Sequence, residues 1–245
     1  MSILEIDKSV SAFDKLEDGD IVDRRTPSLR PKDAATLILI RRDGPKPRVL
    51  VGKRSTRHAF MPEKYVFPGG RVDTEDGRAP AISELSPAVE AKLAFKTRRK
   101  PRAFGLTAIR ETFEETGLLI GRPLDQDAKV PANWAPFLDQ NALPCLTHLQ
   151  FIGRAITPPY RPRRFDARFF MAEAEDALID ERAASAGAEL VDVRWIDLED
   201  TQDIDLPMVT RSMLTEVSRR LAAPKDTPDP LFLRYSPKGQ IIERI

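Results

Sequence analysis

Cysteine and histidine are almost missing from this chain, which holds one cysteine, Cys145, and two histidines, His58 and His148, far apart in sequence. One cysteine excludes an internal disulfide framework, and the histidine spacing offers no zinc cluster. Both histidines read as structural or solvated side chains. Long apolar runs are missing too. No stretch approaches the roughly 20 apolar residues of a membrane span, and residues 1 to 33 lack the apolar core of a secretory signal. The expectation is a soluble, cytoplasmic chain with no membrane partner. Charge of one sign is not in excess, the net charge being +1, so no global field points to nucleic acid as a partner. Internal repeats and low-complexity blocks do not occur. What the sequence does have is 245 residues at 41% hydrophobic content, enough for one large domain with a proper core. Residues 1 to 33 read as an arm on the surface and residues 34 to 245 as a single domain.

Residues 34 to 42 predict a strand through their Thr-Leu-Ile-Leu-Ile run, and the turn residues 43 to 47 lead into a second strand at 48 to 53, a hairpin. A short strand at 65 to 68 runs into Gly69 and Gly70. Ser86 and Pro87 suit the N-cap and first position of a helix. Residues 103 to 116 predict a helix closed by Gly117, a residue suited to the left-handed C-cap, with a strand at 118 to 120 after it. Strands at 148 to 155, 165 to 171 and 189 to 196 follow, then an amphipathic helix at 207 to 221 and a terminal hairpin of 231 to 235 with 240 to 245. Strands on both sides of a helix in mixed order place the chain in the α/β class, with a mixed sheet between helices.

The helix at 103 to 116 sets Glu111, Glu114 and Glu115 on one face, with Leu106, Ile109 and Phe113 roughly opposite, at about 100° per residue. Like charges at these spacings weaken a helix by a few tenths of a kcal/mol each. Such a cluster is either a solvated face with Arg110 paired to Glu114, or an oxygen set for a hard divalent cation. Upstream, Tyr65-Val66-Phe67-Pro68-Gly69-Gly70 ends a strand on two glycines, which let bare backbone approach a phosphate.

Together these residues resemble the signature of the Nudix hydrolases: Gly, five residues, Glu, seven residues, then Arg-Glu-apolar-x-Glu-Glu-x-Gly-apolar. Arg110-Glu111-Thr112-Phe113-Glu114-Glu115-Thr116-Gly117-Leu118 matches the second half, with Thr112 and Phe113 exchanging the apolar and variable places. In the first half, five residues separate Gly70 from Asp76, which stands where the family has Glu, with Glu75 beside it as the alternative. Residues 77 to 109, 33 in all, fill a gap that is seven in the family, an insertion of 26. Some branches carry a long insertion at this point, among them an animal coenzyme A diphosphatase group. Thr157-Pro158 and Arg164-Phe165-Asp166-Ala167-Arg168-Phe169-Phe170 look like a pattern of the insertion-bearing members. Residues 50 to 55 fit the start of the coenzyme A branch's upstream pattern, while Ala59 and Glu63 stand where it has Arg and Gly.

The resemblance implies an α/β/α sandwich with a mixed sheet and a Mg2+- or Mn2+-dependent hydrolase that cleaves the diphosphate of a small nucleoside diphosphate derivative. It makes Glu111, Glu114 and Glu115 metal ligands, Arg110 their orienting partner, and the backbone of Gly69 and Gly70 the loop beneath. The general base is left open among Glu114, Glu115 and Glu189. Arg161, Arg163, Arg164 and Arg168 are candidates for substrate phosphates or a carboxylate, since Arg suits bidentate oxyanion contacts. The insertion, about 77 to 102, reads as a substrate lid or as a subunit contact making a homodimer. Its basic run, Lys96 to Arg102, either steers a polyanion or is solvated surface. The rival reading is a nucleotide-sensing regulatory protein of the same fold that does not cleave, and a structural interaction module is a third.

Overall fold

The computed structural model describes residues 28–56, 62–124, 128–159, 161, 163–180, 182–236 and 239–245. The expected arm up to residue 27, His58, Ala59 and the hairpin turn at Pro237 and Lys238 lie outside the described residues. The strands are β1 (Lys32–Arg41), β2 (Arg48–Arg54), β3 (Tyr65–Val66), β4 (Gly69–Arg71), β5 (Gly121–Pro123), β6 (Ala142–Pro144), β7 (Gln150–Ile156), β8 (Phe165–Glu173), β9 (Leu190–Asp197), β10 (Leu231–Ser236) and β11 (Gly239–Arg244). The longer helices are α1 (Pro87–Leu93), α2 (Pro101–Thr116) and α3 (Met208–Ala222). None of the described helices is long and apolar enough to cross a membrane.

Nine strands form one mixed sheet in the order β11-β10-β7-β8-β1-β2-β3, with β4 paired to β1 and β9 to β2. β1 runs parallel to β8 along nearly its whole length, and β10 parallel to β7, while the other pairs are antiparallel. A strand covered on both faces has no need of polar alternation. Accordingly Ala35, Leu37 and Leu39 of β1 join the core under α2, and Ile38 and Ile40 join a second core under α3, all fully buried. Burying each such Leu or Ile contributes about 1.5–3 kcal/mol. This is the expected sandwich: helix, mixed sheet, helix.

α2 starts at Pro101, two residues before the expected boundary, because Pro in the first turn leaves no intrahelical donor unused. It ends at Gly117, whose φ of 74° is left-handed and whose amide donates to Phe113 O at 2.8 Å. Residues 118 to 120 differ from expectation. Their side chains are buried in the core under α2, and Ile179 N donates to Leu119 O at 3.0 Å, so the segment is a buried connection and the strand, β5, begins at Gly121.

The insertion is packed into the body of the fold. Ala79, Leu85 and Leu93 belong to the core under α2, Ser86 Oγ accepts from Val89 N to cap α1, and Arg102 donates to Gly77 O and Ala79 O. Within its basic run, Arg99 pairs with Asp33 at 2.7 Å and Arg102 with Glu84 at 2.9 Å.

Arg164 and Arg168 stand elsewhere than the reading of them as substrate-binding side chains required. Arg168 is 1% exposed, lies 4.2 Å over the Phe104 ring, and pairs with Asp33 at 3.1 Å and Asp166 at 3.0 Å. Burial brings its guanidinium down to about 10. Arg154 takes the other side of Asp166 at 2.7 Å and donates to Phe95 O, so one buried charge network joins β1, β7, β8 and the insertion. Arg164 donates to Thr157 O, Ser28 Oγ and Leu29 O, tying down the segment before β1. Breaking a buried pair by removing one partner costs about 3–5 kcal/mol. Arg168→Ala should therefore lower the unfolding free energy by about that amount in urea titrations; a side chain held for substrate oxygens would leave the midpoint unmoved.

Candidate active site

β4 and α2 meet across a gap that no side chain fills. A Cβ on Gly70 would lie 2.4 Å from the Glu111 carboxylate, and one on Gly69 would lie 2.6 Å from Ala35 O. The bare backbone lets Gly69 N donate to Glu115 Oε2 at 2.9 Å. The acidic face of α2 is thus turned onto the glycines, with Glu115 only 6% exposed, and the solvated-face reading is set aside.

Arg110 is the hub of the cluster. Its Nε and Nη2 donate to the two oxygens of Asp76 at 2.8 and 3.0 Å, a bidentate pair, and Nη1 reaches Glu111 at 2.9 Å and Glu114 at 3.0 Å. Asp76, fully buried, also accepts from Thr107 Oγ1, the Asp73 amide and Trp134 Nε1. Of the two acidic residues open at this position, Asp76 is the one that faces inward; Glu75 pairs with Arg78 at the surface. Burial raises the Asp76 carboxyl, but Arg110 and Thr107 outweigh it and hold the group below its ordinary value.

The glutamates are less well compensated. Burial pushes Glu115 up to about 8, against the Gly69 hydrogen bond and with repulsion from Glu111. Burial likewise pushes Glu111 up to about 7, against the pull of Arg110 and with repulsion from Glu114. Glu114 is raised mainly by burial. Glu189, exposed and just before β9, adds its negative charge to both Glu111 and Glu115, so the end of that strand reaches the cluster.

Among the described residues no group of three or more His, Cys, Asp or Glu side chains is assembled to hold a metal ion. Arg110 sits between Glu111 and Glu114, and the Gly69 amide occupies one oxygen of Glu115. The chemistry of the donor set still fits a hard divalent cation: all-oxygen ligands that repel one another, Glu115 buried, Glu111 mostly so, and one arginine shared between Glu111 and Glu114.

On the sheet face under α3 a cavity of about 210 Å³ opens beside the same glycines. Gly69, Gly70 and Arg54 line one end, and residues of β7, β8, the first turn of α3 and the terminal hairpin line the rest. Thr157 and Pro158 of the quoted motif are part of its wall. No residue of the insertion lines it. Arg54 was quoted in the sequence only as part of a pattern, and its place here depends on strand pairing that no local signal reveals. Burial lowers its pKa, Glu115 and Glu189 raise it, and the charge of Arg163 lowers it.

No family model matches the chain. The acyl-coenzyme A diphosphatase NUDT19 of Gallus gallus is 34% identical to it over 136 residues, 44% of this chain and 32% of the relative. The putative nudix hydrolase 7 of Caenorhabditis elegans is 29% identical over 167 residues, 64% of this chain and 48% of the relative. The chain therefore spans about half or less of the length of these curated relatives. The crystal structure of a NUDIX hydrolase from Alicyclobacillus acidocaldarius superposes with a TM-score of 0.59 at 28% identity, over 76% of this chain and 90% of that one.

The strained electrostatics have a measurable sign. Carboxyls held protonated in the folded chain bind more protons than in the unfolded chain between their ordinary pKa near 4.5 and about 7 to 8, so stability declines as pH rises through that window. Without divalent cations, the melting temperature should fall from pH 5 to pH 8, and Glu115→Gln should flatten the decline. A melting temperature that rises over this interval in the unsubstituted chain overturns the reading.

Proposed function

We propose that the chain is a Nudix hydrolase, a Mg2+- or Mn2+-dependent pyrophosphohydrolase acting on a nucleoside diphosphate linked to a second moiety, with acyl-coenzyme A as the first substrate to try. The observation that carries this reading is the contact of Glu115 with the Gly69 amide and of Glu111 with Gly70, beside a cavity with Arg54 at its edge. A regulatory protein that senses without cleaving would have no use for two carboxylates, Glu111 and Glu115, desolvated at this point.

Glu111, Glu114 and Glu115 would hold the cation, which when bound neutralises diphosphate oxygens and makes an attacking water more acidic. Taking it up requires Arg110 to loosen its hold on Glu111 and Glu114 while keeping Asp76. Arg110 then acts as the positioning residue, because the Asp76 pair fixes the guanidinium whether or not the glutamates lean on it. Arg54 would bind a diphosphate oxygen, its planar donors suiting such oxygens. We assign the removal of the water proton to Glu189, which approaches the glutamates from outside α2 and shares its strand end with Ser55, whose amide donates to Glu189 O at 3.0 Å. The bond broken is the P–O–P anhydride, with water oxygen joining one phosphorus and the bridging oxygen leaving with the other.

A panel of acyl-coenzyme A, coenzyme A, ADP-ribose and NADH, followed by mass spectrometry, tests the activity. Turnover should need Mg2+ or Mn2+ and stop with EDTA. Glu115→Gln should abolish it, and Glu189→Gln should reduce kcat by about 10²–10⁴ with KM little changed. Turnover that survives EDTA, or a Glu115→Gln variant of full rate, would falsify the proposal.

A further inference from the structure

The cavity beside the glycines has a polarity gradient that the diphosphate chemistry does not use. Among the described residues lining it, Arg54 alone is charged, and it stands at the glycine end. The body is walled by apolar side chains, among them Ile156, Phe169, Val209 and Leu233. Away from the charge sit neutral hydrogen-bonding groups, Thr210 and Gln240 among them. Thr210 is 3% exposed. The Gln240 side-chain oxygen is buried and has no hydrogen-bond partner among the described residues. Both residues line the cavity, and a buried acceptor left unmet is costly. The two walls carrying them are rigidly joined, because Glu216 of α3, 2% exposed, binds Arg220 at 2.8 Å and Arg244 of β11 at 2.7 Å.

Resting on the hydrolase reading above, we infer that this cavity is the subsite for an uncharged, amide-bearing chain attached to the diphosphate, such as the acylated pantetheine arm of an acyl-coenzyme A, and that Gln240 and Thr210 are its specificity residues. A phosphorylated nucleoside would bring its charge into a space whose one cation is already at the diphosphate end, and burying an unpaired charge is strongly unfavourable. An apolar chain with amide N–H groups meets the apolar walls and supplies donors to Gln240 Oε1 and to the Thr210 oxygen. At about 210 Å³ the cavity is smaller than the roughly 300–1,000 Å³ of pockets that enclose a whole drug-sized ligand, so it takes part of the attached chain and leaves the nucleoside outside.

Calorimetry on the full chain with phosphate-free S-octanoyl pantetheine, and separately with adenosine 3′,5′-bisphosphate, tests this without turnover. The acyl pantetheine should bind, Gln240→Leu should weaken it about tenfold, and Val209→Trp, which fills the cavity from the first turn of α3, should abolish it. Thr210→Val, close in shape, provides a second polar deletion should Gln240→Leu fold poorly, and circular dichroism confirms folding of each variant. The bisphosphate should bind no more weakly to Val209→Trp than to the unsubstituted chain. The inference is overturned if acyl pantetheine fails to bind, if neither polar deletion weakens it, or if Val209→Trp removes bisphosphate binding. Absence of hydrolysis on every substrate, with acyl pantetheine binding intact, would instead sink the hydrolase reading and leave the subsite standing.

Discussion

Asp76 and Arg110 face each other with two parallel hydrogen bonds in a space from which water is excluded, and Thr107, Asp73 and Trp134 satisfy what remains of the carboxylate. This pair stitches the segment after the glycines to the middle of α2. Its strength explains how the two halves of the site tolerate separation in sequence. Lengthening a flexible connection from about seven residues to about 33 costs only about 1.4 kcal/mol of closure entropy, whereas breaking a buried pair costs about 3–5 kcal/mol. The insertion offsets part of even that small cost by burying Leu85 and Leu93 in the core under α2. A long excursion between Asp76 and Arg110 is thus compatible with a glycine turn and a glutamate face held within hydrogen-bonding distance.

The same pair sets the electrostatics around it. Arg110 has one guanidinium to share among Asp76, Glu111 and Glu114, and Asp76 takes both ends of the fork. The glutamates are left with a fraction of a positive charge between them in a desolvated place. Burial first, and then repulsion between the glutamates, keeps Glu111 and Glu115 up near 7 and 8, and this gives an entering cation something to bind. A site in which arginine fully neutralised the glutamates would be more stable and chemically idle.

What could be read from the sequence follows from how local each signal is. The strand run of β1, the Ser86 cap, the Gly117 terminator and the spacing of Glu111, Glu114 and Glu115 are statements about neighbouring residues, and they hold in the structure. The choice between Asp76 and Glu75 was not local: burial decided it, through Thr107 and Trp134 from distant segments. The buried place of Arg168 was not foreseen although a signal existed. Two residues apart on a strand means the same face, and Arg168 shares its face with Phe170, which is fully buried under α2, so an inward-pointing arginine needing acid partners follows from the alternation. Arg54 gave no such signal, since only the pairing of β2 with β3 and β9 brings its strand end to the glycines.

The sheet divides the labour of the proposed enzyme. Its α2 face gathers the acids, its α3 face carries the neutral cavity, and β4 lies where the two communicate because Gly69 and Gly70 have no side chains to close the way. Residues that would break the bond sit on one helix, while the walls that would select the attached group come from α3 and the terminal hairpin, clamped to each other through Glu216 rather than to the acids. Under this arrangement the cavity walls can change the accepted chain without altering the charge balance around Arg110. Changes at Asp76 or Arg110, by contrast, disturb the acids and the fold together. The two polar groups proposed to select the attached chain thus come from the C-terminal part of the sequence, and the acids from its centre.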